Sequence, residues 1–295
     1  MLIKTNKRFD FIDSPQLFIK KDIMISATRL ASDERSFLIG LRHRPTHSKE
    51  AKIRMDKGKE EHEKRQIGLK TLKEYDYINF RKDLCTNHLR ISLKEVEIIS
   101  PNNAIYGIID HLIIEFTKEG DLKIWVTEYK GSFSLGYLFQ LFAYTIALSD
   151  TDCRCVLGIP YKRRVKHNRK EKREIGYLFP SPNEIKTINI FGRLFNYNSN
   201  KEQIYESIIS NSQVSGEKQG IYLATLKRLH TYQSYMIQRV IDLSDFNHDE
   251  KGYCCANFPH ICPKIKYNPL VKQTYFSKAK NPRNIIIKSK PPISI

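Results

Sequence analysis

Between Ile105 and Lys130 apolar and polar residues alternate with a period near two, first in IYGIIDHLIIEF and again in LKIWVTEYK. Lys118-Glu119-Gly120 joins the two runs. The pattern predicts two antiparallel strands, Ile105–Phe116 and Leu122–Lys130, closed by a three-residue loop with Gly120 at its left-handed position. That loop sets Thr117 opposite Asp121, and counting outwards sets Asp110 opposite Glu128. Asp110, Glu128 and Lys130 then share one face with Ile108, Leu112, Ile114, Phe116, Leu122, Ile124 and Val126. The run Leu135–Leu148 carries apolar residues at helical spacing and predicts a helix directly after the hairpin. Upstream, Ser26 is placed to cap a helix over Ala27–Leu41 with Leu30, Phe37, Leu38 and Leu41 as its stripe. A polar helix follows from about Ser48 to Tyr75, then strands over 76–100 with Ile91–Ile99 alternating, then a turn at Pro101-Asn102-Asn103. Downstream, Cys153–Ile159 reads as a buried strand with both cysteines on one face. Residues 181–210 carry a mixed pattern that assigns no element. Ile221, Leu226, Leu229, Tyr232 and Ile237 predict a long helix over Gly216–Leu243, packed on the sheet or on the amino-terminal helices.

Two carboxylates and a lysine at one end of an apolar face need a reason, because unpartnered buried charge costs several kcal/mol. One reason is structural: a buried Glu128–Lys130 pair with Asp110 at a strand end. The other is chemical. Asp110 and Glu128 can hold a hard divalent cation, which takes few protein carboxylates and fills its remaining positions with water and phosphate oxygen. Lys130 would then stand beside the reacting phosphate.

The ordered set Gly107-Ile108-Ile109-Asp110, Glu128-Tyr129-Lys130 and Gln140-x-x-x-Tyr144 resembles the RecB-like branch of the PD-(D/E)XK nucleases, which includes CRISPR-associated exonucleases. Gly58-Lys59-Glu60-Glu61-His62 is similar to the Gly-x-x-x-His motif of that branch; on its own, His62 would read as part of a solvated helix face. The resemblance implies a restriction-endonuclease-like mixed central sheet flanked by helices, with an amino-terminal helical lobe and a carboxy-terminal extension. It implies Mg²⁺ or Mn²⁺ held by His62, Asp110, Glu128 and the Tyr129 carbonyl. Lys130 would position or activate the attacking water and stabilise the transition state, and Gln140 and Tyr144 would orient the scissile phosphate or Lys130. Several members also bind a 4Fe–4S cluster through one early and three late cysteines. Here Cys254, Cys255 and Cys262 stand where the late group is expected. Cys254 and Cys255 are adjacent rather than spaced by two, and Asp33 stands near the early position. Cys85 or His260 would have to complete a cluster or a zinc site; otherwise the segment is a packed, cysteine-bearing loop.

A net charge of +18 changes the picture in one respect: it calls for an anionic partner, of which nucleic acid is the commonest. Tyr161–Glu174 has eight Lys or Arg against two Glu. Lys162, Arg163, Arg164, Lys166, Arg169 and Lys170 can hold phosphates there, with Tyr161, His167 and Tyr177 as stacking groups, or the run is simply a solvated loop. Pro263–Ile295 has eight basic residues and no acidic one, an extended or disordered arm whose residues 285–287 can dock as an edge strand. No secretory signal and no run long enough to span a bilayer are seen, which predicts a soluble, intracellular, cytoplasmic protein. Six cysteines in such a chain suggest free thiols or metal ligands rather than a disulfide framework.

The expected organisation is a lead-in (1–22), a nuclease domain (23–262) containing the hairpin and helix (104–148) and the cysteine segment (253–263), and a basic tail (263–295). The expected function is metal-dependent hydrolysis of DNA phosphodiesters, exonucleolytic on single-stranded ends. A structure-specific endonuclease, a non-catalytic nucleic-acid-binding module of the same fold, and RNA as substrate stay open at this level.

Overall fold

A computed structural model describes residues 3–4, 10–11, 24–41, 47, 49–72, 90–150, 152–158, 173–179, 185–210, 213–214, 216–237, 240–242 and 286–288. In chain order these form β1 (Ile3–Lys4), β2 (Asp10–Phe11), β3 (Ile25–Ser26), α1 (Ala27–Leu30), α2 (Glu34–Gly40) and α3 (Lys49–Arg65). Next come β4 (Arg90–Ser100), β5 (Ile105–Phe116), β6 (Asp121–Lys130), α4 (Leu135–Leu148), β7 (Arg154–Gly158) and β8 (Arg173–Tyr177). The last are β9 (Thr187–Asn196), β10 (Lys201–Ser210), β11 (Gln213–Val214), α5 (Gly216–Ile237), β12 (Val240–Asp242) and β13 (Ile286–Lys288).

The architecture is mixed α/β. Nine strands make one mixed sheet in the order β11-β10-β9-β6-β5-β4-β7-β8, with β3 also pairing β5. β6 runs parallel to β9 and β3 parallel to β5, while the other pairs are antiparallel. The central hairpin forms as its residues dictate: Phe116 pairs Leu122, Thr117 N–H donates to Asp121 O at 2.9 Å, and Gly120 takes φ +90°. α4 starts at Ser134, whose side chain caps the Tyr137 N–H, and buries every residue from Phe139 to Leu148. That is why it is apolar nearly all round. α5 lies across α4 and the amino-terminal helices, with Tyr232 stacked on Phe37 at 4.1 Å.

Several expected elements differ at their ends. The helix expected over Ala27–Leu41 is two helices, because Asp33 caps a new start by accepting from Ser36 N–H at 2.8 Å. Ser26 makes no side-chain cap. The polar helix expected to reach Tyr75 ends at Arg65, followed by Gly68 at φ +80°, a left-handed stop. The helix expected to reach Leu243 ends at Ile237, and Val240–Asp242 instead pairs in parallel with Ile286–Lys288 of the tail. The stretch 181–210, unassigned from sequence, contains the β9–β10 hairpin. Among the described residues no helix is long and apolar enough to cross a membrane.

One irregularity decides where the site lies. In β4 the buried positions are Ile91 and Leu93, then Val96 and Ile98, with Ile99 and Ser100 also buried at the strand's end; in β5 they are Ile105, Gly107 and Ile109, then Leu112, Ile114 and Phe116. Both strands change phase at one place, between Lys94 paired to His111 and Val96 paired to Ile109, and the ladder skips Glu95 and Asp110. Glu95 sits at φ +50°, a left-handed conformation that bends the pair as a bulge does. The core therefore stays on one side of the sheet while Asp110 is turned. Ile108, expected on the core face, is only half-buried, and Ile109 is buried in its place.

Candidate functional site

Strand β5 has two partners along one edge. β3 pairs with it at Ile105–Tyr106, and β6 pairs with it from His111 to Phe116. Between them, over residues 107–110, the edge is open, and its backbone groups must find other partners. The candidate residues are those partners. Tyr144 donates its hydroxyl to Ile108 O at 2.6 Å. Glu128 Oε1 accepts from Asp110 N–H at 3.4 Å, and Gln66 Nε2 donates to Asp110 O at 2.7 Å. From the facing strand, Tyr129 N–H donates to Asp110 Oδ2 at 2.9 Å. Gly107 belongs to this arrangement for space rather than flexibility, since a Cβ there would lie 2.7 Å from Cε1 of the Tyr144 ring.

The charges gather on the same split. Lys130 Nζ lies 2.8 Å from Glu128 Oε2 and 3.9 Å from Asp110 Oδ2. Gln140 Nε2 donates to Glu128 Oε2 at 2.9 Å and approaches the Tyr144 hydroxyl at 3.3 Å. Glu128 is wholly buried, and Asp110 and Lys130 are 15% and 16% exposed. His62, reaching over from α3, donates from Nε2 to Tyr129 O at 2.8 Å and turns Nδ1 to Asp110 Oδ1 at 3.6 Å.

Electrostatics follow from burial. Removal from water pushes the Glu128 carboxyl above the ordinary carboxylate range, and the neighbouring Asp110 pushes it further; Lys130 only partly offsets them. Burial alone would pull Lys130 down, but the attraction of Glu128 and Asp110 outweighs it and holds the ammonium protonated. The two shifts meet in one statement: a single ammonium serves two carboxylates, and the excess negative charge raises whichever acid is more deeply buried. Burial likewise raises Tyr144 well above its usual value, which keeps the hydroxyl a donor to the Ile108 carbonyl.

The expected residues His62, Asp110, Glu128, Tyr129, Lys130, Gln140 and Tyr144 thus stand together. Gln140 and Tyr144, expected to orient the scissile phosphate or Lys130, are both buried: Gln140 donates to the Glu128 oxygen that pairs with Lys130, and Tyr144 holds the strand. Gln66 was missed, although it lies four residues after His62 and so on the same side of the chain. The β9–β10 turn was missed as well. There Tyr197 N–H donates to Lys130 O at 2.9 Å and Asn198 Nδ2 to Gly131 O at 2.6 Å. The spacing NYNSN between two alternating runs was the available signal.

Cys85, Cys254, Cys255, His260 and Cys262 lie outside the described residues, as do Tyr161, Lys162, Arg163, Arg164, Lys166, His167, Arg169 and Lys170. The basic run lies within the β7–β8 connection, whose strands pair from Arg154–Tyr177 to Gly158–Arg173. Cys153 and Cys155 are buried and in no disulfide, as expected. Asp33, near which the resemblance would put an early cysteine, is the α2 cap.

Among the described residues, no group of three or more His, Cys, Asp or Glu side chains is arranged to hold a metal ion. Glu128 Oε2 is committed to Lys130 and Gln140, so the acids and His62 do not close into a ligand shell. The donor chemistry still suits a hard cation: two carboxylates, a backbone carbonyl and an imidazole border one split, with an ammonium already drawn to its negative charge. The sequence matches no family model and no curated protein.

Proposed function

We propose that the chain is a metal-dependent DNA nuclease of the PD-(D/E)XK type, with a restriction-endonuclease-like fold of the RecB-like branch, acting as an exonuclease on single-stranded ends. The observation that carries this reading is the split in the sheet at Asp110, where two acids, a lysine, the Tyr129 carbonyl and His62 border one opening. A Mg²⁺ or Mn²⁺ ion held by Asp110, Glu128, Tyr129 O and His62 would supply positive charge at the reacting phosphate and acidify water.

The chain's own groups have definite parts in that reaction. Lys130, held beside the two acids, positions or activates the attacking water and donates hydrogen bonds to oxygens gaining charge at phosphorus. Gln140 fixes the Glu128 carboxylate, and Tyr144 fixes the strand that carries Asp110, so neither acid has to be oriented when substrate arrives. His62 tethers α3 to the Tyr129 carbonyl and Gln66 tethers it to the Asp110 carbonyl, which fixes the helix against the split.

The test compares the native chain with Asp110→Ala on end-labelled single-stranded and duplex DNA in Mg²⁺, Mn²⁺ or EDTA. Cleavage should appear with either metal, fall at least a thousandfold in the variant, and vanish in EDTA, while DNA binding persists. End-blocked and branched substrates separate exonuclease from structure-specific endonuclease, and an RNA strand of the same sequence sets the sugar preference. One observation favours a second reading, a non-catalytic nucleic-acid-binding module: the closed Glu128–Lys130 pair leaves Glu128 already satisfied. Binding without cleavage in every metal would establish that reading instead.

A further inference from the structure

Two phenols border the split and take no part in holding it together. Tyr137, on the first turn of α4, lies under Lys130 with the ammonium 5.5 Å from its ring centroid. Tyr197, in the β9–β10 turn, stands beside His62 and α3. Its hydroxyl rests against two glycines: a Cβ on Gly58 of α3 would lie 3.2 Å from that oxygen, and one on Gly131 just past β6 would lie 3.0 Å from it. Its ring meets His62 edge to face, with centroids 6.4 Å apart.

The turn that carries Tyr197 is firmly built. Asn196 Oδ1 accepts from Asn198 N–H at 3.0 Å and Ser199 N–H at 3.2 Å, and the turn is tied to the end of β6 at Lys130 O and Gly131 O. Tyr137 and Tyr197 are only half-buried, and no hydrogen bond to a described residue engages either hydroxyl, so both remain open to a ligand, whereas the buried Tyr144 and Tyr232 hydroxyls are engaged. Burial raises the Tyr197 phenol, the nearby Tyr137 adds to that, and Lys130 opposes it, so it is a neutral donor at working pH.

We propose that Tyr137 and Tyr197 are substrate-contacting residues, donating hydrogen bonds to phosphate oxygens of the nucleic-acid strand beside Lys130. This rests on the nuclease reading for its substrate and deepens it. Lys130 is drawn inwards to the acids and offers one point charge. Two fixed donors beside it would set the direction in which a phosphodiester lies across the split, a task a single flexible ammonium performs poorly. The proposal also gives a use to Gly58: any side chain there would press on the Tyr197 hydroxyl and move the donor.

Tyr137→Phe, Tyr197→Phe and the double variant remove only the hydroxyls and keep the packing. With end-labelled single-stranded DNA and Mn²⁺, each should raise KM about tenfold or more, as loss of a hydrogen bond to a charged group implies, with kcat changed only a few-fold. Mn²⁺ affinity and the thermal midpoint should stay at native values, which a merely structural role or a metal-site defect would not allow. If the native chain cleaves and the variants match it in KM, the phenol assignment is overturned and the nuclease reading stands. Should the native chain fail to cleave, the nuclease reading fails, and anisotropy of the same labelled strand in Ca²⁺ decides the contact by itself. Weaker binding by the variants supports the phenol contact; equal binding overturns it.

Discussion

Glu128 and Lys130 face each other at 2.8 Å with Glu128 wholly buried. Taking two charges out of water costs several kcal/mol each, and their attraction repays that only with supporting hydrogen bonds, here from Gln140. Stability therefore does not explain the pair; the proposed chemistry would. Lys130→Met should destabilise the fold by about 3–5 kcal/mol, because it leaves Glu128 buried beside Asp110 with no counter-charge. Glu128→Leu combined with Lys130→Met should restore stability to within about 1–2 kcal/mol of native or exceed it, while both variants lose cleavage. Urea unfolding of the two variants beside the native chain checks this, and a double variant no more stable than the single one would refute it. At this scale Asp110, Glu128 and Lys130 were legible because a short turn fixes the hairpin pairing, although the ladder itself ends at His111 opposite Thr127, one step short of Asp110 and Glu128. Gln66 and Tyr197 were not, since one acts through a backbone carbonyl and the other through a turn, and neither leaves a charge pattern in the chain.

The element that shapes the site is the paired bend at Glu95 and Asp110. Alternation was read straight through it, which is why Ile108 was placed on the core face. A left-handed residue resets the count, and an exposed Glu gives no sign that it adopts that conformation. The strain at Glu95, roughly 1 kcal/mol for a non-glycine residue at positive φ, is offset by the hydrogen bonds that Asp110 makes once turned. Glu95→Gly should accordingly be neutral or stabilising by up to about 1 kcal/mol and keep activity. Glu95→Val, β-branched and suited to straight strands, should cost about 1–3 kcal/mol and reduce cleavage by straightening the bend. Thermal melts with parallel activity assays decide it, and equal behaviour of the two variants would remove the bend from the argument. Elsewhere the elements followed their chemistry: α4 was legible to the residue, while α1 and α2 were fused because Asp33 was not weighed as a cap. The hairpin of β9 and β10 was obscured because Phe191 and Phe195 lie on the face opposite the buried Ile190 and Leu194, which blurs the period of two.

For the molecule as a whole, the net charge of +18 is a statement about partners rather than about the fold. Binding to a single strand should weaken linearly in log–log form with salt, since each neutralised phosphate releases counterions. With roughly five phosphates engaged, a fourfold rise in monovalent salt should weaken binding about a hundredfold. Much of that charge lies in the connection between β7 and β8 and in the tail. Truncation after Lys288, which keeps the β12–β13 pairing, removes Lys290 and nothing acidic, so it should leave the slope nearly unchanged. Neutralising Lys162, Arg163, Arg164 and Lys166 together should lower the slope by roughly two to three, if that loop follows the strand. Tyr137→Phe and Tyr197→Phe should leave the slope as it is, because a phenol releases no counterion. Anisotropy titrations at four salt concentrations separate these contributions. A slope unmoved by the loop substitutions would assign phosphate binding to other basic residues and leave the loop as solvated charge.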